Sequence, residues 1–230
     1  MDIEYLLKSR TAFIRYFYEN SVRPFKEITI AIENGEEPYI PPYSEDDEPP
    51  FLEEWTYAQH GVETVGHACI SLLSSALHLF LKSWKRRLKN KMKFNANFKK
   101  KGWFNGYKQI FNELELPLSQ CSANLDIIEQ ITLARNRVQH PEELAQLGVD
   151  HSESDLKKFP KPFFANETEL KMASRDVDGS TTWWLRPSVK SSKEKIFEAI
   201  NQVEVFCAWL EQEYWKAIYA YENLGRPHCH

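Results

Sequence analysis

The stretch VETVGHACISLLSSALHLFLKSW, residues 62–84, decides the fold class of this 230-residue chain. Apolar side chains lie nearly all round a helix of this sequence, which predicts a buried central helix. It should begin at Phe51 or Glu53 and end at about Lys91. No apolar run reaches the roughly 18 residues needed to cross a bilayer, so we expect no membrane-spanning helix. A buried helix requires other helices around it.

The start of the chain predicts a helix in two pieces. The first runs from Ile3 to about Asn20 and is bent or restarted at Pro24, and the second closes at Gly35. Leu6, Leu7, Phe13, Ile14 and Phe17 mark the apolar positions of the first piece.

Three more helices are predicted further along the chain. They are a short one at 107–116 closed by Pro117, one at 122–140 with Ser122 as N-cap and Pro141 as its stop, and a last one from about Ser192 to Asn223. The helix at 122–140 has an apolar stripe of Ile127, Ile131, Ala134 and Val138. The last helix has one of Ile196, Ile200, Val203, Phe206, Leu210 and Tyr214. We therefore expect an all-α fold, an up-and-down four-helix bundle with loop insertions, as a single domain over residues 1–230.

Three segments are predicted to lie outside the helices. Residues 36–52 form an acidic, proline-rich loop, residues 92–102 a basic connector, and residues 141–190 an irregular insert. Within the insert, VDGST at 177–181 predicts a small β-hairpin at about 165–187.

The net charge of −4 hides a strong segregation. Residues 33–54 carry nine acids and no bases, whereas residues 82–101 carry ten bases and no acids. Local fields therefore matter more for partners than the overall charge does. The four cysteines show no paired spacing, and MDIEYLLKSR is not a secretory leader, so we expect free thiols and a cytoplasmic location.

The segment ARNRVQH, residues 134–140, is the strongest candidate for chemistry. Cleavage of RNA without a metal needs a base for the 2′-hydroxyl proton, an acid for the leaving 5′-oxygen, and a cation facing the phosphate. Arg135 offers the cation, and His140 offers a side chain that exchanges protons near neutral pH. Asn136, four residues before His140, could orient the imidazole.

Arg135, Asn136 and His140 together resemble the R-N-x-x-x-H signature of HEPN domains, helical bundles found in RNA-cleaving toxins and defence proteins. The resemblance implies a metal-independent endoribonuclease with these three catalytic residues and no cofactor. It also implies a homodimer with a composite active site, and an antitoxin protein as a partner. The chain departs from the H-x-Y form of the family, because Pro141 and Glu142 follow His140.

A second apolar face on the same helix, made of Leu125, Ile128 and Leu133, would suit such a dimer, or would alternatively pack inside the monomer. An Arg and a His at a helix end could also have only structural roles, pairing with an acid and capping carbonyls.

The basic stretch is the predicted RNA-binding surface. Its residues are Lys85, Arg86, Arg87, Lys89, Lys93, Lys99, Lys100, Lys101 and Trp103, interleaved with Trp84, Phe94 and Phe98. The alternative is a solvated helix end without a ligand. A different class of function, a non-catalytic helical scaffold that binds RNA or protein, uses the same stretch.

A metal site is not expected. His60, His67 and His78 share one helical arc, but they lie about 10 and 16 Å apart along the axis, too far to share one ion. A metal-dependent enzyme built on them is the weakest alternative. The chain has no glycine-rich phosphate loop, serine-nucleophile elbow, CxxC pair or HExxH motif.

Overall fold

The computed structural model describes residues 2–43, 49–92, 103–141, 148–177, 180–183 and 186–224. Over these ranges the chain forms seven α-helices: α1 (Ile3–Asn34), α2 (Leu52–Met92), α3 (Trp103–Glu113), α4 (Leu125–Gln139), α5 (Glu153–Lys158), α6 (Glu167–Ala173) and α7 (Lys193–Leu224). Strands β1 (Ser174–Val177) and β2 (Ser180–Trp183) pair antiparallel, with Ser174 opposite Trp183. The predicted all-α class is confirmed, and the up-and-down four-helix arrangement stays a prediction.

Helix α1 is continuous through Pro24, so the predicted restart at this residue is wrong. Proline removes the N–H that would bond to the carbonyl of Asn20. Both residues are exposed, so water can satisfy that carbonyl. The predicted end at Gly35 is confirmed: this glycine has a φ of +65°, and the N–H of Glu36 donates to the Ala31 carbonyl at 2.9 Å.

Helix α2 has the predicted bounds, and its buried face includes Leu73, Leu77 and Leu81, each fully buried. Leu72 and Leu79 are 39% and 43% exposed, so the apolar side chains of α2 are not buried on every side of the helix. We expected no helix apolar enough to cross a bilayer, but Leu52–Lys91 contains an 18-residue window with a mean hydropathy of 1.5, which is enough by length and composition alone. Of that window, 61% is buried inside the protein.

Helices α3 and α4 differ from their predicted starts. Helix α3 begins at Trp103, four residues earlier than predicted, because Phe104 is buried together with Tyr107, Ile110 and Phe111. Helix α4 is capped by Asn124, not by the predicted Ser122. The Oδ1 atom of Asn124 accepts hydrogen bonds from the N–H of Asp126 at 3.0 Å and of Ile127 at 3.4 Å.

Helix α7 agrees with its prediction in both bounds and core face. All six predicted core residues, Ile196 to Tyr214, are 3% exposed or less. Where the structure describes it, the insert at 141–190 contains α5 and α6 as well as the hairpin, so it has more regular structure than predicted. The backbone at 36–43 and 49–51 has no helix, as predicted for the acidic loop, and residues 44–48 and the basic connector at 93–102 lie outside the described residues.

The chain divides into two compact units. The first consists of Met1–Ala12, Leu73–Thr132 and Glu198–His230. Its core is aromatic: the ring of Phe206 lies 5.9 Å from Phe111 and 6.5 Å from Phe104, centroid to centroid, and the ring of Trp84 lies 5.7 Å from Phe111. These edge-to-face contacts are the geometry that aromatic rings prefer.

The second unit consists of Phe13–Leu72 and Leu133–Phe197. Here two buried histidines bind the insert through main-chain carbonyls. The Nε2 atom of His67 lies 2.9 Å from the Val189 oxygen, and that of His151 lies 3.0 Å from the Phe164 oxygen. Because a carbonyl can only accept, both Nε2 atoms carry the proton and donate. Burial lowers the pKa of both histidines.

Candidate functional site

The candidate site lies where α4 ends. Helical hydrogen bonding continues one residue past Gln139, because the N–H of His140 donates to the Asn136 carbonyl at 3.1 Å. Asn136 and His140 therefore lie one turn apart on the same face of the helix. Pro141 has no N–H with which to extend this pattern, so the helix stops where the sequence predicts.

The guanidinium of Arg135 is held by its neighbour. Its Nη1 atom donates to Oδ1 of Asn136 at 3.0 Å. Arg135 is half-buried, whereas Asn136 is exposed. The amide oxygen of Asn136 thus orients the cation. The sequence predicts that Asn136 orients the imidazole, and its contact with Arg135 is not part of that prediction.

The imidazole of His140 is exposed at the surface. Among the residues that the structure describes, which leave out 142–147 next to it, no side chain forms a hydrogen bond or an ion pair with this ring. Arg135 and His140 are five residues apart, about 140° around the helix and about 7.5 Å along it. The end of α4 thus presents a cation and an imidazole on faces about 140° apart.

Arg137, in the middle of the motif, connects the helix end to the insert. Its Nε atom lies 3.9 Å from Oδ2 of Asp155 on α5, and the two side chains are 23% and 15% exposed. Sequence reasoning missed this ion pair, because it treated residues 141–190 as irregular. The pair links the last turn of α4, which carries Asn136 and His140, to α5.

The second apolar face predicted on α4 is not a free surface. Ile128 is fully buried, and Leu125 and Leu133 are half-buried. The alternative reading, in which this face packs inside the monomer, therefore holds for Ile128. In the main stripe, Ile131 and Ala134 are buried as predicted, and Ile127 and Val138 are half-buried.

The predicted RNA-binding residues that the structure describes lie on the last turns of α2. Arg86 and Lys89 are exposed, whereas Lys85 and Arg87 are half-buried. Lys93, Lys99, Lys100 and Lys101 lie outside the described residues, as do Phe94 and Phe98. Trp103 is the first residue of α3, and its side chain is also outside the described part of the chain.

Two side chains of this stretch belong to the protein interior or to internal contacts. Trp84, expected to offer an aromatic face to RNA, is 1% exposed, and its Nε1 atom donates to the Leu210 carbonyl at 3.2 Å. It is a core residue. Arg87 forms a salt bridge with Glu211, with Nη1 2.7 Å from each carboxylate oxygen, so its charge is largely neutralised.

The histidines of α2 do not come together. His67 is buried, whereas His78 is exposed and His60 is half-buried. Over the described ranges no group of three or more His, Cys, Asp or Glu side chains has the arrangement needed to hold a metal ion.

Comparison with known proteins adds no relative: no family model matches the chain, and no curated protein or solved structure is significantly similar to it.

Proposed function

We propose that this chain is a metal-independent endoribonuclease of HEPN type, with Arg135, Asn136 and His140 as its catalytic residues. The observation that carries the proposal is the helix end itself. There, an exposed imidazole, an exposed amide and a guanidinium held by that amide occupy one and a half turns of α4.

The chemistry is a transesterification within the RNA. The 2′-oxygen attacks the adjacent phosphorus as a base takes its proton, and the bond to the 5′-oxygen breaks as an acid protonates that oxygen. The products are a 2′,3′-cyclic phosphate and a 5′-hydroxyl. His140 exchanges the protons, and the Arg135 guanidinium stabilises the negative charge that develops on the phosphate. The amide of Asn136 holds the guanidinium in place for that contact.

A homodimer is part of the proposal, because the reaction has two proton transfers and one motif supplies one imidazole. Two copies facing each other would bring two histidines to one phosphate. The exposure of Asn136, Gln139 and His140 supports this, since these side chains are accessible to a second copy. We further propose a cytoplasmic toxin or phage-defence role, with an antitoxin protein as its partner.

The test is cleavage of a labelled single-stranded RNA in the presence of EDTA, with analysis of the ends. Because positioned acid–base groups contribute about 10²–10⁴-fold, His140→Ala should lower the rate by that factor. Arg135→Ala should lower it by about 10²–10³-fold. His78→Ala, which removes an exposed histidine of α2 outside the motif, is the matched control and should cleave as the native protein does.

Several results would contradict the proposal. Loss of activity in EDTA, or products with 3′-hydroxyl ends, would indicate a metal-dependent nuclease. RNA binding without cleavage would favour the non-catalytic scaffold. Since His140 is exposed, His140→Ala should change the free energy of unfolding by less than about 0.5 kcal/mol. Unfolding therefore cannot explain its loss of activity.

The dimer has its own test. Native and His140→Ala protomers, mixed so that subunits exchange, should form heterodimers as inactive as the His140→Ala homodimer, because one site needs the histidine of each copy. Heterodimers with nearly native activity would contradict the composite site. Arrest of bacterial growth on expression, relieved by His140→Ala, would support the toxin role.

A further inference from the structure

Two exposed aromatic rings lie together near the end of α7. Trp215 is 45% exposed and Tyr219 is 61% exposed. Their ring centroids are 6.1 Å apart with 33° between the ring planes. Single exposed apolar side chains are ordinary, whereas exposed ones that lie together form a candidate binding surface.

The indole of Trp215 is held in one orientation. Its Nε1 atom donates to Oε1 of Glu211 at 3.1 Å, one turn earlier on the same helix. Glu211 is in turn fixed by the salt bridge to Arg87, whose guanidinium lies 4.0 Å from the centroid of the Tyr214 ring and 5.5 Å from that of Trp215. A ring ordered before binding loses little conformational freedom when a ligand stacks on it.

The surroundings of this ring pair in the first compact unit are strongly basic. Between residues 82 and 92, α2 carries six bases and no acid. Arg87, which contacts the ring pair, is on this stretch, and Arg86, Lys89 and Lys91 on the same last turns are exposed. Arg87 is matched by Glu211, and Glu213 on α7 is matched by Lys216, so Arg86, Lys89 and Lys91 add positive charge to this part of the first unit.

We propose that Trp215 and Tyr219 form a stacking platform for the unpaired bases of single-stranded RNA, whose phosphates contact Arg86 and Lys91. Fixed aromatic faces beside cations are the combination that binds single strands, because every base has a face to stack and every nucleotide a charge to neutralise. The inference rests on the proposed function, which supplies RNA as the ligand, and it adds a binding site that the catalytic motif does not contain.

The choice of RNA over a protein partner rests on charge. An apolar protein surface would gain from the two rings but would have to desolvate the neighbouring cations, whereas a polyanion with planar bases matches both. Duplex RNA keeps its bases stacked inside the helix and cannot use the rings. The platform should therefore prefer single strands to duplexes.

The experiment measures Kd by fluorescence anisotropy with a labelled 12-nucleotide single-stranded RNA and with the matching duplex. All proteins carry His140→Ala to prevent cleavage. Trp215→Ala and Tyr219→Ala should each raise the single-strand Kd by about tenfold. Trp215→Phe, which keeps a stacking face, should bind nearly as the parent does. The control is Tyr57→Ala, which removes another tyrosine that is 58% exposed.

The salt dependence of binding separates the rings from the cations. Removal of one phosphate contact by Arg86→Ala or Lys91→Ala should reduce the slope of log K against log salt by about 0.7, whereas Trp215→Ala should leave the slope unchanged. Thermal melting of each variant confirms that it is folded.

Unchanged single-strand binding by folded Trp215→Ala would overturn the inference. So would equal affinity for duplex and single strand, no RNA binding at all, or Trp215-dependent binding of polyglutamate in place of RNA. The two proposals fail separately. Binding of RNA that depends on Trp215, without any cleavage, would refute the proposed nuclease. Cleavage of RNA by the native protein, with an RNA affinity that Trp215→Ala does not change, would refute the stacking platform.

Discussion

Gly66→Ala would stabilise an ordinary helix, but the structure predicts that it destabilises this protein. In an open helix interior, alanine is more stable than glycine by about 0.5–1 kcal/mol, because glycine loses more backbone freedom on folding. Gly66 lies inside α2 and is buried, facing the segment that precedes α7. A Cβ at this position would lie 2.0 Å from Oγ, 2.7 Å from Cβ and 2.7 Å from the carbonyl oxygen of Ser191.

The neighbour cannot easily move away. Ser191 is buried, and the residues before it are held on other sides: Val189 accepts from His67, and the N–H of Lys190 donates to the Phe164 carbonyl at 2.8 Å. Overpacking of this kind costs about 1–3 kcal/mol. A shift that broke the His67 hydrogen bond would cost about 1–3 kcal/mol more. After subtraction of the helix gain, we expect a net loss of about 2 kcal/mol, which lowers Tm by about 4–8 °C.

The assay is thermal and urea unfolding of Gly66→Ala beside two reference proteins. Gly148→Ala is the control, because a Cβ there meets no atom within 4 Å, and it should change stability by less than about 1 kcal/mol. Adding Ser191→Gly to Gly66→Ala removes two of the three close contacts and should restore part of the loss. A Tm for Gly66→Ala equal to or above the native value would show that α2 and residues 189–191 are not packed as described.

Two further predictions concern stability. The pKa values of His67 and His151 are lowered by burial, so below about pH 6.5 the unfolded chain binds more protons than the folded chain does. Stability should therefore be full above that pH and fall as the pH drops toward the folded pKa values, and urea unfolding at pH 7.5 and 5.5 measures the difference; an unchanged midpoint would contradict the neutral state of these rings. Asn124→Ala should cost about 1 kcal/mol through loss of the α4 cap, whereas Ser122→Ala should cost nearly nothing, and equal losses would refute the cap assignment.

The parts of the fold that follow from apolar spacing could be predicted. The core face of α7 repeats every three or four residues, so the helix and its buried side chains both follow from the sequence. In α1 the same reasoning chose some wrong positions: Leu6 and Phe13 are 44% and 57% exposed, whereas Thr11 is fully buried. The hydroxyl of Thr11 donates to Glu204 on α7, and it also lies within hydrogen-bond distance of the Leu7 carbonyl on its own helix. Spacing along α1 does not reveal a partner on another helix.

The helices of the insert had a signal that hydrophobic spacing does not detect. Ser152 caps α5, where its Oγ accepts from the N–H of Asp155 at 3.1 Å. Asn166 caps α6 in the same manner, through the N–H of Thr168 at 2.8 Å. A capping residue followed by acids in the first turn is readable from sequence, but these helices have only six and seven residues and little periodicity.

The position of the candidate site could be predicted from the sequence, but the contacts of its side chains could not. A motif that ends at a proline predicts a helix end, and Pro141 provides it. The partner of each side chain depends on rotamers and on tertiary contacts, so the Arg135–Asn136 hydrogen bond and the Arg137–Asp155 ion pair are not predictable from spacing. These two contacts give the adjacent arginines different roles: Arg137 is engaged with the insert, whereas Arg135 is engaged only with its exposed neighbour in the described contacts.

The different partners of the two arginines affect which of them could bind a phosphate. A cation that leaves an ion pair with a half-buried carboxylate loses a charged partner, and phosphate binding must first compensate for that loss. The Arg135 guanidinium gives up at most a neutral amide, or keeps it, since its other N–H groups can reach a phosphate while Nη1 still donates to Asn136. In the proposed nuclease, Arg135 is therefore the cation that would contact the phosphate, because Arg137 is paired with Asp155.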